Sequence, residues 1–154
     1  MIWFLLIIPL WILFNWAAPL ASLYKAERLG LGRLPADLLR LHPRVSRHIR
    51  FYLCDLRHSY GFSVWMWPYT VVVFDRKFFS AASGDLVRFV VAHELGHTKG
   101  KDHVQRWWAI VTGVALLPAM RRRFVKQELA ADRYAIALTG FRRDQFIGAW
   151  HHGR

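Results

Sequence analysis

His93-Glu94-Leu95-Gly96-His97 places two imidazoles and a carboxylate in one pentapeptide. If the segment is helical, positions 93 and 97 fall one turn apart on one face, so both rings can reach a single tetrahedral metal. Glu94 lies beside them, where it can take a proton from a water polarised by that metal. The preceding Phe89-Val90-Val91-Ala92 is apolar and suits a helix. The competing reading is a helix carrying two ordinary surface histidines. The pattern points instead to a zinc-dependent hydrolase binding one Zn2+ per chain.

A catalytic zinc needs a third protein ligand and an open position. Two candidates follow in the sequence. One is Glu128, which shares a helical face with Asp132, one turn further on, in Glu128-Leu129-Ala130-Ala131-Asp132. A ligating carboxylate followed by one that hydrogen-bonds a zinc histidine is a sensible two-layer arrangement. The other is His103, because His93-Glu94-x-x-His97-x-x-Gly100-x-x-His103 also fits the longer three-histidine metzincin pattern. That design needs a methionine turn, and Met120 is the one methionine downstream. The residue types alone leave both open. Tyr134, His103 and Arg133 are candidate donors to a developing oxyanion.

The elements that must position these groups can be read from periodicity. The stripe Val45, Ile49, Tyr52, Leu53 and Leu56 reads as a core helix that starts near Pro43 and stops at Gly61. Residues 62–66 and 70–74 are β-rich runs that form a hairpin or two adjacent strands, and 70–74 is expected to be the edge that pairs with an extended substrate. Residues 75–83 read as a polar connection with a helical turn, and Ser83 as the cap of the helix that bears the histidines. The apolar run 107–120 would be about 21 Å long as a helix, too short for a bilayer core of about 30 Å. A single crossing there would also separate His93 from Glu128. It is therefore expected to be a core helix or an interfacial one, ended by Pro118 and Arg121-Arg122-Arg123.

Residues 2–24 carry no charge and, as a helix, would extend roughly 34 Å, enough to span. With no positive n-region and a long apolar run, the segment reads as an uncleaved transmembrane anchor rather than a signal peptide. Lys25, Arg28, Arg33 and Arg40 follow it, which puts the body of the chain in the cytoplasm. Residues 25–42 read as a basic juxtamembrane linker, with a short helix near 36–41, and 43–150 as the catalytic domain.

The chain of 154 residues has 55% hydrophobic content, eight Trp and a net charge of +12. With a membrane segment present, that charge is assigned to an anionic bilayer surface, and nucleic acid is not expected as a partner. The single Cys54 excludes an intrachain disulfide framework and any cysteine zinc site; it reads as a small core residue. Nothing bears on oligomeric state. The rival function class is a non-catalytic basic membrane adapter, which would not need His93, Glu94, His97, Glu128 and Asp132 together.

Residues 92–140 resemble the membrane gluzincins of the HtpX and CAAX prenyl protease type. The order of a strand at 70–74, an AHELGH helix at 92–97, an apolar insertion at 107–120 and an E-x-x-x-D helix at 128–132 carries the resemblance. Asp102 falls where HtpX-type proteins often place an acid after glycine. The resemblance implies that His93, His97 and Glu128 bind zinc, that Glu94 is the base, and that Asp132 orients a zinc histidine. It also implies a peptide or protein substrate. The fold class expected is α+β: a mainly helical zincin-like domain with a small antiparallel sheet, preceded by one transmembrane helix. The chain departs from the family in having one short insertion and one clear span, which favours ordinary peptides over prenylated substrates.

Overall fold

The computed structural model describes residues 25–40, 48–56, 60–66 and 68–141. The expected anchor at 2–24, residues 41–42 of the expected linker, residues 43–47 and 57–59 of the expected helix and the chain beyond 141 lie outside the described residues. Among the described residues, four strands and five α-helices run in the order β1 (Glu27–Arg28), α1 (Ala36–Arg40), β2 (Ile49–Cys54), β3 (Gly61–Met66), β4 (Tyr69–Asp75), α2 (Arg76–Ala81), α3 (Gly84–Gly100), α4 (Asp102–Val111) and α5 (Pro118–Thr139). The mixed α and β content agrees with the expected class. No helix among the described residues is long and apolar enough to cross a membrane.

The sheet order is β1-β2-β4-β3. It is mixed rather than antiparallel: β1 and β3 run antiparallel to their neighbours, but β2 and β4 are parallel. The correction originates in β2, which the 3.6-residue stripe had suggested was helical. Ile49, Phe51 and Leu53 are buried while Arg50 and Tyr52 between them are only partly so, and that period of two belongs to a strand. Short apolar runs satisfy both periods, and the pairing partner decides. Here Phe51 lies opposite Val72 and Leu53 opposite Phe74, so the two strands share one buried face.

That face carries the main core. Phe51, Leu53, Val72 and Phe74 meet Phe89, Val90, Val91, Ala92 and Leu95 of α3, with Leu29, Leu34 and Leu38 closing one side. The segment read as a linker is therefore structured: β1 pairs with β2, and Leu38 of α1 is fully buried. Arg88 of α3 clamps Asp37 of α1 with both guanidinium nitrogens. Cys54 is buried with Val71 and Val73 on the opposite face of the sheet. β4 is buried on both faces because it is central. The expectation that residues 70–74 form a sheet edge is corrected: β4 is internal, and the edge strands are β1 and, beside α3 and α4, β3.

Capping follows local chemistry. The Ser83 side chain accepts from the Leu86 amide and starts α3, as expected. Asp75 accepts from the Phe78 amide and starts α2, a six-residue helix where a polar connection with a helical turn was expected. α3 ends at Lys101, whose φ of 55° is left-handed and whose amide caps the carbonyls of His97 and Thr98. The apolar run 107–120 does not form one buried helix. α4 stops at Gly113 (φ 74°), a 3-10 turn spans Val114–Leu116, and Pro118 begins α5 rather than ending a helix.

α3 and α5 cross at very close range. A Cβ on Gly96 would lie 3.0 Å from Ala131 Cα and 3.3 Å from both Ala131 Cβ and the Tyr134 ring. Gly96→Val should therefore destabilise the fold by about 1–3 kcal/mol through overpacking and weaken metal binding as well. Thermal unfolding and zinc titration of the same variant check both.

Candidate metal centre

α3 presents His93 and His97 on the face turned toward α5, and α5 presents Glu128 and Asp132 back to them. Three atoms converge: His93 Nε2 and His97 Nε2 are 3.1 Å apart, and Glu128 Oε2 lies 3.3 Å from the first and 3.5 Å from the second. A tetrahedral zinc with bonds of about 2.0–2.1 Å holds its ligand atoms about 3.3 Å apart. The triangle has the dimensions of one face of that tetrahedron, so the donor set fits the ion in both chemistry and size. These residues form the one group among the described residues able to hold a metal in this way.

Each imidazole is fixed from behind. His93 Nδ1 donates to Asp132 Oδ1 at 2.9 Å, and His97 Nδ1 donates to Asp102 Oδ2 at 3.0 Å. An ionised carboxylate only accepts, so Nδ1 of each ring carries a proton and Nε2 is the atom each ring turns to the centre, free to ligate once it has no proton. Asp132 takes the place expected of it. Asp102 had been noted only as an acid following glycine; it is buried and serves the second histidine as Asp132 serves the first. Gly100 leaves it room, since a Cβ there would meet Asp102 Oδ1 at 2.9 Å.

Glu128 is held by a residue that periodicity could not reveal. Arg106 of α4 donates to Glu128 Oε1 at 2.6 Å and to Gln127 Oε1 at 3.1 Å, leaving Glu128 Oε2 for the histidines. Gln105 bridges Gln127 and Arg123 alongside. Hydrogen bonds from His93 and His97, with Arg106 in support, hold the Glu128 carboxyl far below its usual range. Burial works against charge on His93, but Asp132, Glu128 and Glu94 outweigh it and raise its pKa to about 9. Without a metal, the converging acceptors are thus served by a proton on His93, which a metal must displace.

Glu94 lies between the two histidines in sequence and is buried. Burial raises its pKa; His93 and His97 oppose that shift, helped by a hydrogen bond from Ser63 of β3. Its Oε2 has no hydrogen-bond partner among the described residues, which leaves an acceptor position open beside the centre.

His103 stands apart from the triangle. Because the left-handed turn comes at Lys101, one residue after Gly100, His103 rides on the first turn of α4 and its Nε2 pairs with Thr70 Oγ1 at 3.0 Å. Burial lowers its pKa, with the His97 carbonyl and Asp102 opposing. Of the other oxyanion-donor candidates, Arg133 is exposed, and Tyr134 packs against Gly96 with Lys99 Nζ 4.7 Å above its ring.

Replacing Asp102 by Ala should weaken zinc binding by about 10–100-fold, the usual cost of losing a carboxylate behind a ligating imidazole. The melting temperature of the metal-free chain should change little by comparison. Competition against a chelator and a melting curve separate the two.

The protein-family comparison bears on the same segment. Residues 38–124 match the family model for peptidase family M48, more than half of the chain. The match covers β2 to β4, the HExxH helix and the first turns of α5. No curated protein matches the chain. The HExxH pentapeptide on its helix, the converging triangle of donor atoms and the family match lead to one conclusion: the chain belongs to peptidase family M48, the zinc metallopeptidases.

Proposed function

We propose that the chain is a membrane-anchored, zinc-dependent endopeptidase of the HtpX and CAAX prenyl protease kind, acting on ordinary polypeptides. The observation that carries the reading is the triangle of His93 Nε2, His97 Nε2 and Glu128 Oε2. In this reading those three residues ligate zinc, Asp132 and Asp102 position the imidazoles, and Arg106 positions the carboxylate. The anchor at 2–24 and the cytoplasmic placement of the domain rest on the charge pattern of the sequence.

Bound there, zinc would supply Lewis acidity to a water and to the substrate carbonyl. Glu94 would be the residue that holds a proton taken from water, on its open oxygen, and passes it to the leaving amine. Its raised pKa brings it closer to the range in which it can both accept and release a proton near neutrality. β3 runs along the free edge of the sheet beside α3, and Ser63 of β3 touches Glu94. An extended peptide added to β3 would gain main-chain hydrogen bonds while its scissile bond lies over the centre. Main-chain pairing of that kind favours polypeptide substrates and needs no lipid group on them.

The test uses the full chain purified in detergent, with zinc per chain and peptide cleavage measured together. Glu94→Gln should keep zinc and lose about 10²–10⁴-fold in kcat, the range for a general base. Glu128→Ala should lose zinc, and His103→Ala should keep it. A wild-type chain that binds no zinc would return the protein to the class of non-catalytic adapters. Zinc lost in His103→Ala but kept in Glu128→Ala would move the third ligand to the metzincin design.

A further inference from the structure

Eight large apolar side chains are exposed among the described residues, and six of them fall between Trp108 and Leu129. Four of the six, Trp108, Ile110, Val114 and Leu117, lie where α4 turns through the 3-10 segment into α5. Trp108 is 53% exposed, Ile110 41%, Val114 38%, Leu117 53% and Val125 54%. An apolar concentration of that kind on an otherwise charged surface marks a contact site.

The charge around the elbow says which contact. Residues 103–127 contain no acid and five Lys or Arg: Arg106, Arg121, Arg122, Arg123 and Lys126. Arg106 is used on Glu128 and Arg123 on Gln105, whereas Arg121, Arg122 and Lys126 are exposed and make no ion pair among the described residues. Tryptophan and leucine at a tip, flanked by cations without acids, suit the boundary between anionic headgroups and acyl chains. Spanning is excluded for the elbow, because Gly113 breaks the chain after ten helical residues.

We propose that this elbow docks on an anionic lipid surface, with Trp108, Val114 and Leu117 entering the headgroup boundary and Arg121, Arg122 and Lys126 pairing with phosphates. α4 and α5 carry Arg106 and Glu128 a few turns from the same elbow, so docking sets the metal centre close to the bilayer. Resting on the peptidase reading above, the substrates would then be polypeptide segments lying near a membrane surface.

Cys54 is buried, so a thiol-reactive, polarity-sensitive fluorophore can be placed by Leu117→Cys, with Ser80→Cys on α2 as the reference position. The full chain is reconstituted into vesicles of phosphatidylcholine, alone or mixed with phosphatidylserine. With phosphatidylserine, the label at 117 should shift to the blue and be quenched by nitroxides at shallow depth. The label at 80, which reports tethering alone, should not. Combining Arg121→Ala, Arg122→Ala and Lys126→Ala should abolish most of the shift at 117. The proposal fails if labels at 117 and 80 behave alike, or if phosphatidylserine and the three cations make no difference. It also fails if the shift follows protein concentration instead of lipid, which would assign the elbow to a second copy of the chain. No turnover is needed for the readout, so an inactive chain would still report docking, and a failed docking result leaves the zinc and cleavage measurements intact.

Discussion

The site depends on one contact between backbones, where Gly96 of the HExxH helix presses on Ala131 of the neighbouring helix. Glutamate and aspartate side chains are short, and two helices held apart by ordinary side chains sit about 8–10 Å between axes. With a glycine on one side and an alanine on the other, α5 comes near enough for Glu128 and Asp132 to reach His93. Ala135, one turn beyond Ala131, is fully buried and extends the same seam. The small residues inside both motifs thus have a mechanical purpose, setting the distance at which ligands from two helices can share an ion.

Electrostatics completes what the packing begins. A half-buried imidazole and a buried one aim their Nε2 atoms at one point, and a carboxylate oxygen joins them there. In a low-dielectric setting such a convergence of acceptors is costly unless a cation or a proton occupies it. The carboxylates behind each ring raise the basicity of the ring, and Arg106 occupies the oxygen of Glu128 that points away. α4 carries both Asp102 and Arg106, so the helix after the left-handed Lys101 braces a ligand on each side of the centre. A chain with net charge +12 still gathers four of its ten acids within this site and its supports: Glu94, Asp102, Glu128 and Asp132.

What could be read from the sequence was local. The spacing of His93 and His97, the one-turn spacing of Glu128 and Asp132, the cap at Ser83 and the hairpin of β3 and β4 depend on residues within a few positions of each other. What could not be read was decided by distant pairing. β2 satisfied a helical period as well as a strand period until its partner β4 was known. The free edge passed from β4 to β3 because β2 pairs with β4 across the hairpin. Arg106 reaches Glu128 across 22 positions, and nothing in the local pattern marks it. Asp102 was legible in part, since it stands five residues after His97, but its role required knowing that Lys101 turns the chain back.

The central claim is that zinc is held by two imidazoles and a carboxylate drawn from α3 and α5. Zinc K-edge X-ray absorption on the metal-loaded full chain measures this most directly. The account predicts a first shell with two imidazole nitrogens and the remainder oxygen, at about 2.0–2.1 Å, with no sulfur. A shell of three imidazoles would contradict it, because the third could come only from a histidine outside the α3–α5 pair.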